Sequence, residues 1–208
     1  MKKTILFQGD SITDCHRIRE NPTNLGAGYA FMTAGKISVD YPDRYTFINK
    51  GISGNRVVDM YARIKADAIN LRPDIMTVLI GVNDVWHEFN KQNGVSNEKY
   101  AKFLEMFLCE VMEACPQTKI FLLEPFVLPG TANQEFYEAF HHEVRLRAAS
   151  CRAVAKKLNL PFVPLQEDME YRASLSKAAD VLGDGVHPTC CGHELISRKL
   201  YSALQEIL

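Results

Sequence analysis

Thr4-Ile5-Leu6-Phe7-Gln8-Gly9-Asp10-Ser11-Ile12-Thr13-Asp14 is a short apolar run that stops at a glycine and passes into an acidic residue and a serine. The run has the composition of a buried parallel strand, and Gly9 permits a sharp turn that a residue with a Cβ would resist. Ser11 is thereby placed at the carboxyl end of a first strand, where a helix can begin. In open α/β sheets ligands bind along that edge. The same residues also allow a plainer reading, in which Asp10 or Ser11 only caps the next helix. The rest of the chain separates the two.

Along the chain, strand and helix alternate five times. A polar, basic segment over 15–28 reads as a long surface loop, of the kind that shapes a site on a rigid sheet. A helix is expected over 29–40, with Phe31, Ala34, Ile37 and Ser38 on one side. A second strand over 45–49 runs into Lys50-Gly51-Ile52-Ser53-Gly54-Asn55, and a helix over 56–71 follows, carrying Val57, Met60, Tyr61, Ile64 and Ala68. The third strand, 75–80, is the most apolar and reads as central, buried on both faces. It ends in Gly81-Val82-Asn83-Asp84, with a loop expected to hold Trp86 and His87. A helix over 97–114 places Phe103, Met106, Phe107 and Val111 on one stripe. Strand four, 119–123, precedes a loop and a long helix over 134–158. Strand five, 161–164, has the prolines of an edge. Asp184-Gly185-Val186-His187-Pro188 then leads into a terminal helix with Leu195, Ile196, Leu200, Leu204 and Ile207.

Without repeats, linkers or low-complexity segments, this alternation predicts a single α/β domain over 1–208, a doubly wound five-stranded parallel sheet with helices on both faces. The glycine- and asparagine-rich punctuation after strands one, two and three must gather along one edge of that sheet. One cleft is implied.

The bulk properties narrow the class. A net charge of −1 lacks the basic excess of a nucleic-acid partner. The apolar run after Met1-Lys2-Lys3 is too short for a signal-peptide core, and no stretch approaches a membrane span. Six cysteines without a CxxC pair are expected to be reduced thiols in a cytoplasmic protein, Cys190 and Cys191 packing beside a turn.

The residues brought together suit acyl transfer, which needs a nucleophile, a base, a group to orient the base, and donors for an oxyanion. Ser11 supplies a hydroxyl on a tight turn. His187 takes and returns a proton near neutrality. Asp184, three residues earlier, is close enough to hold the imidazole in one tautomer. The backbone N–H groups of Ser11 and Gly54 and the amide of Asn83 are the expected oxyanion donors. Asp10 and Trp86 are expected to contact substrate, Trp86 as a platform for a sugar ring. Gly51 is expected to serve the strand-to-helix turn, though Gly51 and Gly54 can also be read in exchanged roles.

Gly9-Asp10-Ser11, the glycines of Gly51-Ile52-Ser53-Gly54-Asn55, Gly81-Val82-Asn83-Asp84 and Asp184-Gly185-Val186-His187 together resemble the four blocks of SGNH (GDSL-type) hydrolases, in the family's order and across nearly the whole chain. The resemblance implies a flavodoxin-like three-layer α/β/α fold, Ser11 as nucleophile, Gly54 and Asn83 as oxyanion donors, and Asp184 and His187 as the other triad members. Within the family the chain is similar to intracellular acetylxylan esterases, through residues 9–15, 49–55, 81–86 and 186–188. It departs from them at Val181-Leu182-Gly183, where that subgroup is expected to carry an aromatic near the aspartate.

The expected function is therefore a cofactor-free serine esterase acting on short acyl esters, O-acetyl groups on a carbohydrate such as xylo-oligosaccharides foremost. A lipase, lysophospholipase or thioesterase of the same family is the alternative within the class. A non-catalytic domain binding a small anion at helix N-termini is the alternative outside it, and a partner surface over 141–147 ranks behind both. No metal is expected: His141 and His142 are adjacent, without the i, i+4 spacing of paired ligands, and His187 and His193 are separated by a turn. Residues 51–55 lack the signature of a phosphate or dinucleotide loop. Arg17 and Arg19 are read as facing either substrate or a second subunit. A homo-oligomer is expected, associating through 15–28 or 126–140.

Overall fold

In a computed structural model, which describes residues 2–208, five parallel strands form one sheet. They are β1 (Lys3–Gly9), β2 (Tyr45–Asn49), β3 (Ile75–Leu79), β4 (Lys119–Leu123) and β5 (Phe162–Val163). Their order, β2-β1-β3-β4-β5, is that of flavodoxin-like sheets. The register pairs Ile5 with Phe47 on one side and with Ile75 on the other, and Ile75 with Lys119 beyond. As expected, β3 is central and fully buried, and the two-residue β5 is an edge.

Side-chain alternation divides the core into two layers. Ile5, Phe7, Phe121 and Leu123 pack on one face, with Tyr29 and Ile37 of α2 (Tyr29–Asp40) and Ile196 and Leu200 of the C-terminal helix (Cys190–Leu204). Leu6, Met76, Val78, Ile120 and Leu122 pack on the other. There they meet Val57 and Met60 of α3 (Val57–Ala62) and Leu104 and Phe107 of α6 (Asn97–Ala114). Val154 of α7 (Tyr137–Lys157) completes that layer. Strands buried on both faces must be apolar at every position, and β3 and β4 are nearly so.

Several expectations need correction. The helix expected over 56–71 is three pieces, α3, α4 (Ile64–Asp67) and a 3-10 turn at Ile69–Leu71. They break where Arg63 turns its guanidinium back beneath the sheet edge, donating to the Gly9 carbonyl at 3.2 Å and to Asn55 Oδ1 at 2.8 Å. The loop expected around Trp86 and His87 is a helix, α5 (Val82–Lys91). Two helices, α8 (Gln166–Ser174) and α9 (Ala178–Val181), lie outside the expected pattern, which makes the terminal helix α10. Phe31 and Ser38 lie outside the core; the buried side of α2 is Tyr29, Ala30, Thr33, Ala34 and Ile37. Met106 is likewise exposed, and α6 buries Tyr100, Leu104, Phe107, Leu108 and Val111. In the segment proposed for association, Phe126, Val127 and Leu128 are buried and are not a free surface.

Candidate active site

The expected residues meet at the carboxyl edge of the sheet. After β1 the chain turns at Asp10, whose carboxylate accepts the Ile12 N–H at 2.9 Å and so caps the one-turn helix α1 (Ser11–Asp14). Ser11 opens that helix, and its Oγ lies 3.0 Å from Nε2 of His187. Nδ1 of His187 lies 2.7 Å from Oδ2 of Asp184. The other Asp184 oxygen accepts the N–H groups of Val186 and His187 at 2.9 and 2.7 Å. The carboxylate thus fixes its own turn as well as the ring.

That turn is held from both sides. Leu182 pairs antiparallel with Pro188, and the Gly183 N–H donates to the His187 carbonyl. On the outside, Leu128 and Ala132 donate to the carbonyls of Gly185 and Asp184. Electrostatics follow from the same contacts. Burial alone would raise the Asp184 pKa, but the His187 ring, the two N–H groups and the ring's charge hold it well below the usual carboxylate range. The hydrogen bond from His187 to Asp184 raises the histidine above its ordinary value, against burial and with the help of the Asp184 and Asp10 charges. With a carboxylate on Nδ1, that nitrogen carries the proton and Nε2 is free to accept from the serine.

A second histidine pair beside it has the opposite polarity. His193 Nε2 lies 3.3 Å from Cys15 Sγ, while its Nδ1 accepts the Tyr29 N–H at 3.1 Å. The proton must then sit on Nε2, pointing at the sulfur, so this imidazole cannot take a proton from the thiol. Burial, and then the charge of His187, push His193 down to about 4 and keep it neutral. Burial pushes the Cys15 thiol up. Cys15 is not an activated nucleophile.

The two glycines of the second loop divide the work. A Cβ on Gly51 would lie 2.3 Å from the Asp14 amide nitrogen, so Gly51 lets this loop press against α1. Gly54 has φ +82° and would meet nothing within 4 Å. Its conformation is the left-handed one that favours glycine, and its Cα faces open space. Neither the Gly54 N–H nor the Ser11 N–H donates to another backbone group among the described residues. Asn83, on the first turn of α5, donates one amide hydrogen to the Asn55 carbonyl at 3.2 Å, leaving the second available. Gly54, Asn83, Trp86, Ser53, His87, Asn90 and Lys91 line a cavity of about 300 Å³ together with Ser11 and His187.

Trp86 is half-buried, its ring centroid 5.6 Å from that of His187 and 6.5 Å from that of Phe140, which it meets edge to face. It lines the cavity shared with Ser11 and His187. Asp10 lines neither cavity at the site: it is 1% exposed, and burial pushes its carboxyl up to about 7. Its expected contact with substrate is replaced by a capping role under the serine. His141 stacks on Tyr137 away from the site, with Nε2 3.7 Å from Glu170.

Four organising residues, three of them within the segments that carry the resemblance, have roles that the local sequence does not disclose. Asp14, buried, accepts from the Ser53 N–H at 3.0 Å, from Ser53 Oγ at 3.1 Å and from Arg19 at 2.9 Å, tying α1 to the second loop. Asp84 accepts the Val57 N–H at 3.1 Å and so holds the start of α3, not its own helix; burial pushes it up to about 8. Asn49 donates to the carbonyls of Thr13 and Leu25 and accepts the Gly51 N–H. Arg63 joins the ends of β1 and the second loop through the Gly9 carbonyl and Asn55.

The model of the GDSL-like lipase/acylhydrolase family matches residues 7–195. The chain belongs to that family. It is a carboxylic ester hydrolase, as the four blocks implied. The chain is 32% identical over 204 residues to an acetylxylan esterase of Geobacillus stearothermophilus, covering 93% of this chain and 90% of that protein. The crystal structure of Axe2, an acetylxylan esterase from Geobacillus stearothermophilus, superposes with a TM-score of 0.87 at 30% identity, covering 98% of this chain and 94% of the other. Two of its solved variants, a serine-to-alanine and an aspartate-to-alanine replacement, are named catalytic mutants. A GDSL-like lipase structure from Parabacteroides merdae gives 0.90 at 34% identity over 98% of this chain and 96% of that one. The three-layer α/β/α fold and the family resemblance are both borne out.

Proposed function

We propose that the chain is a short-acyl serine esterase that removes O-acetyl groups from a carbohydrate through an acyl-enzyme. Ser11 Oγ attacks the ester carbonyl as His187 Nε2 accepts its proton, and Asp184 stabilises the imidazolium formed. The carbonyl oxygen, now negative, is held by the N–H groups of Ser11 and Gly54 and by Asn83 Nδ2. His187 then gives its proton to the departing sugar alkoxide as the carbon–oxygen bond breaks. A water, deprotonated by the same histidine, attacks the acetyl-serine and releases acetate.

The observation that carries this reading is the relay from Ser11 Oγ to His187 to Asp184, 3.0 and 2.7 Å, with Gly54 and Asn83 in the same cavity. The small acyl group is supported by the cavity's lining, in which Trp86 is the one large apolar side chain. A long alkyl chain would find no apolar channel to enter. The sugar is supported by likeness to a protein named acetylxylan esterase. A cytoplasmic setting, supported by six cysteines held as thiols, and self-association belong to the same reading.

Rates on 4-nitrophenyl acetate, butyrate and octanoate, with acetate release from acetylated xylo-oligosaccharides alongside, test it. The expected result is a fall in kcat/KM of at least about tenfold from acetate to octanoate, since lost acyl fit costs on this scale. A preference for octanoate would replace the proposal with the lipase or thioesterase reading.

A further inference from the structure

We infer that a second cavity beside Ser11 binds a carboxylate carried on the alcohol half of the ester, with Arg17 as its cation, so that the preferred substrates are acetylated acidic saccharides. The inference rests on Ser11 being the nucleophile. This cavity, about 510 Å³, shares Ser11, Ser53 and His187 with the smaller one. Gly54 and Asn83 line only the smaller; His16, Arg17, Arg19 and Pro188 line only the larger. A carbonyl oxygen held at Gly54 and Asn83 occupies the smaller cavity. The alcohol oxygen must stand at His187 Nε2 to be protonated, and the rest of the alcohol then extends past Pro188 into the larger one.

The charges lining that space are unequal. Asp14 is its one carboxylate, and both oxygens are already engaged, by the Arg17 N–H, by Ser53 and by Arg19. Arg19 is spent on that pair. Arg17 donates through Nε to the Gly51 carbonyl at 2.8 Å, and among the described residues its two terminal nitrogens donate to no protein acceptor. Of the other carboxylates that act on it, Asp67 is paired with Arg63 and Lys50, and Glu20 stands on the exposed loop. His193, held neutral, adds no charge.

Arg17 is also held in place. Cys15 and His16 take left-handed conformations, φ 39° and 61°, and the Cys15 carbonyl accepts the Ala27 N–H. With Nε fixed on Gly51, the guanidinium presents its end-on pair of nitrogens, a spacing that matches the two oxygens of a carboxylate. A hydroxyl-only sugar would leave that pair without an anionic partner.

The test compares acetate release from an O-acetylated methyl glucuronoside and from the corresponding uronamide, alike in shape and leaving group but uncharged. The expected ratio of kcat/KM is about tenfold in favour of the uronate, the usual scale for one charge-assisted pair. It should shrink as salt screens the pair, and fall towards one in Arg17→Met while Arg17→Lys keeps part of it. The ratio is read rather than the rate, so a general loss from disturbing Gly51 does not move it. If a variant fails to fold, the wild-type ratio and its salt dependence decide. A wild-type ratio near one, or a ratio that Arg17→Met leaves intact, would overturn the inference alone. A preference for 4-nitrophenyl hydrogen adipate over hexanoate would move the anion to the acyl half and overturn it too. No acetate from any ester would overturn the nucleophile reading and this inference with it.

Discussion

Ser11→Ala is expected to lower kcat for 4-nitrophenyl acetate by about 10⁴-fold or more, because triad members act as a unit. Neither neighbour can take over. The Ser53 hydroxyl donates to Asp14 and, among the described residues, hydrogen-bonds no imidazole, and the Cys15 thiol faces a histidine whose proton already points at it. Among the described residues the one side-chain hydrogen bond of Ser11 is to His187, so thermal unfolding should be nearly unchanged. Steady-state kinetics beside a melting curve check both halves. A variant that retains more than about a hundredth of the activity would require another nucleophile.

Asp184→Asn carries the second large effect, a loss of about 10³- to 10⁴-fold in kcat, and it should also move the pH profile. In the native protein only neutral His187 accepts the serine's proton, so kcat/KM rises with pH through the histidine's pKa. That pKa lies above the ordinary 6.5, the Asp184 hydrogen bond and charge raising it against burial. Remove the Asp184 charge and burial outweighs the remaining pull of Asp10, so the residual activity should begin its rise at a lower pH. An asparagine also offers its amide hydrogens to Nδ1 and favours the wrong tautomer, which accounts for the size of the loss. Its carbonyl can still accept from Val186 and His187, so the turn is preserved. A purely structural aspartate would reduce the amplitude and leave the midpoint where it was.

What the sequence discloses and what it hides differ by range. The strand-to-helix turns after β1, β2 and β3 are local events, written in consecutive residues, and in a parallel sheet they fall on one edge without further information. Chain order alone therefore places Ser11, Gly54 and Asn83 in one cleft, while the Asp184–His187 turn, two helices beyond β5, is joined to them by the family resemblance and not by strand order. The signal for α5 is also present. Val82, Val85, Trp86 and Phe89 have the i, i+3, i+4, i+7 spacing of a helix, masked by the polar residues among them. For α8 no such signal exists, since only Gln166 and Met169 are buried in it.

The organising residues are hidden for a different reason. Asp14 meets Ser53 across 39 positions, Asp84 meets Val57 across 27, and Arg63 reaches Gly9 across 54. Their hydrogen bonds satisfy loop amides and carbonyls that the turns leave unpaired, and nothing in the local sequence names the partner. Asp10 shows the same limit. Its position beside the serine suggests contact with substrate, yet the backbone turns its carboxylate inward to cap α1. Phe31 shows the converse, an aromatic at a plausible core position that the helix leaves in solvent.

The proposed mechanism stands on covalent attack by one hydroxyl. Intact-protein mass after incubation with a fluorophosphonate ester, followed by peptide mapping, tests it most directly. The mechanism predicts a single adduct, on the peptide containing Ser11 and at that residue, formed more slowly at pH values that protonate His187. An adduct on Ser53 or Cys15, or no adduct while ester hydrolysis continues, would contradict it.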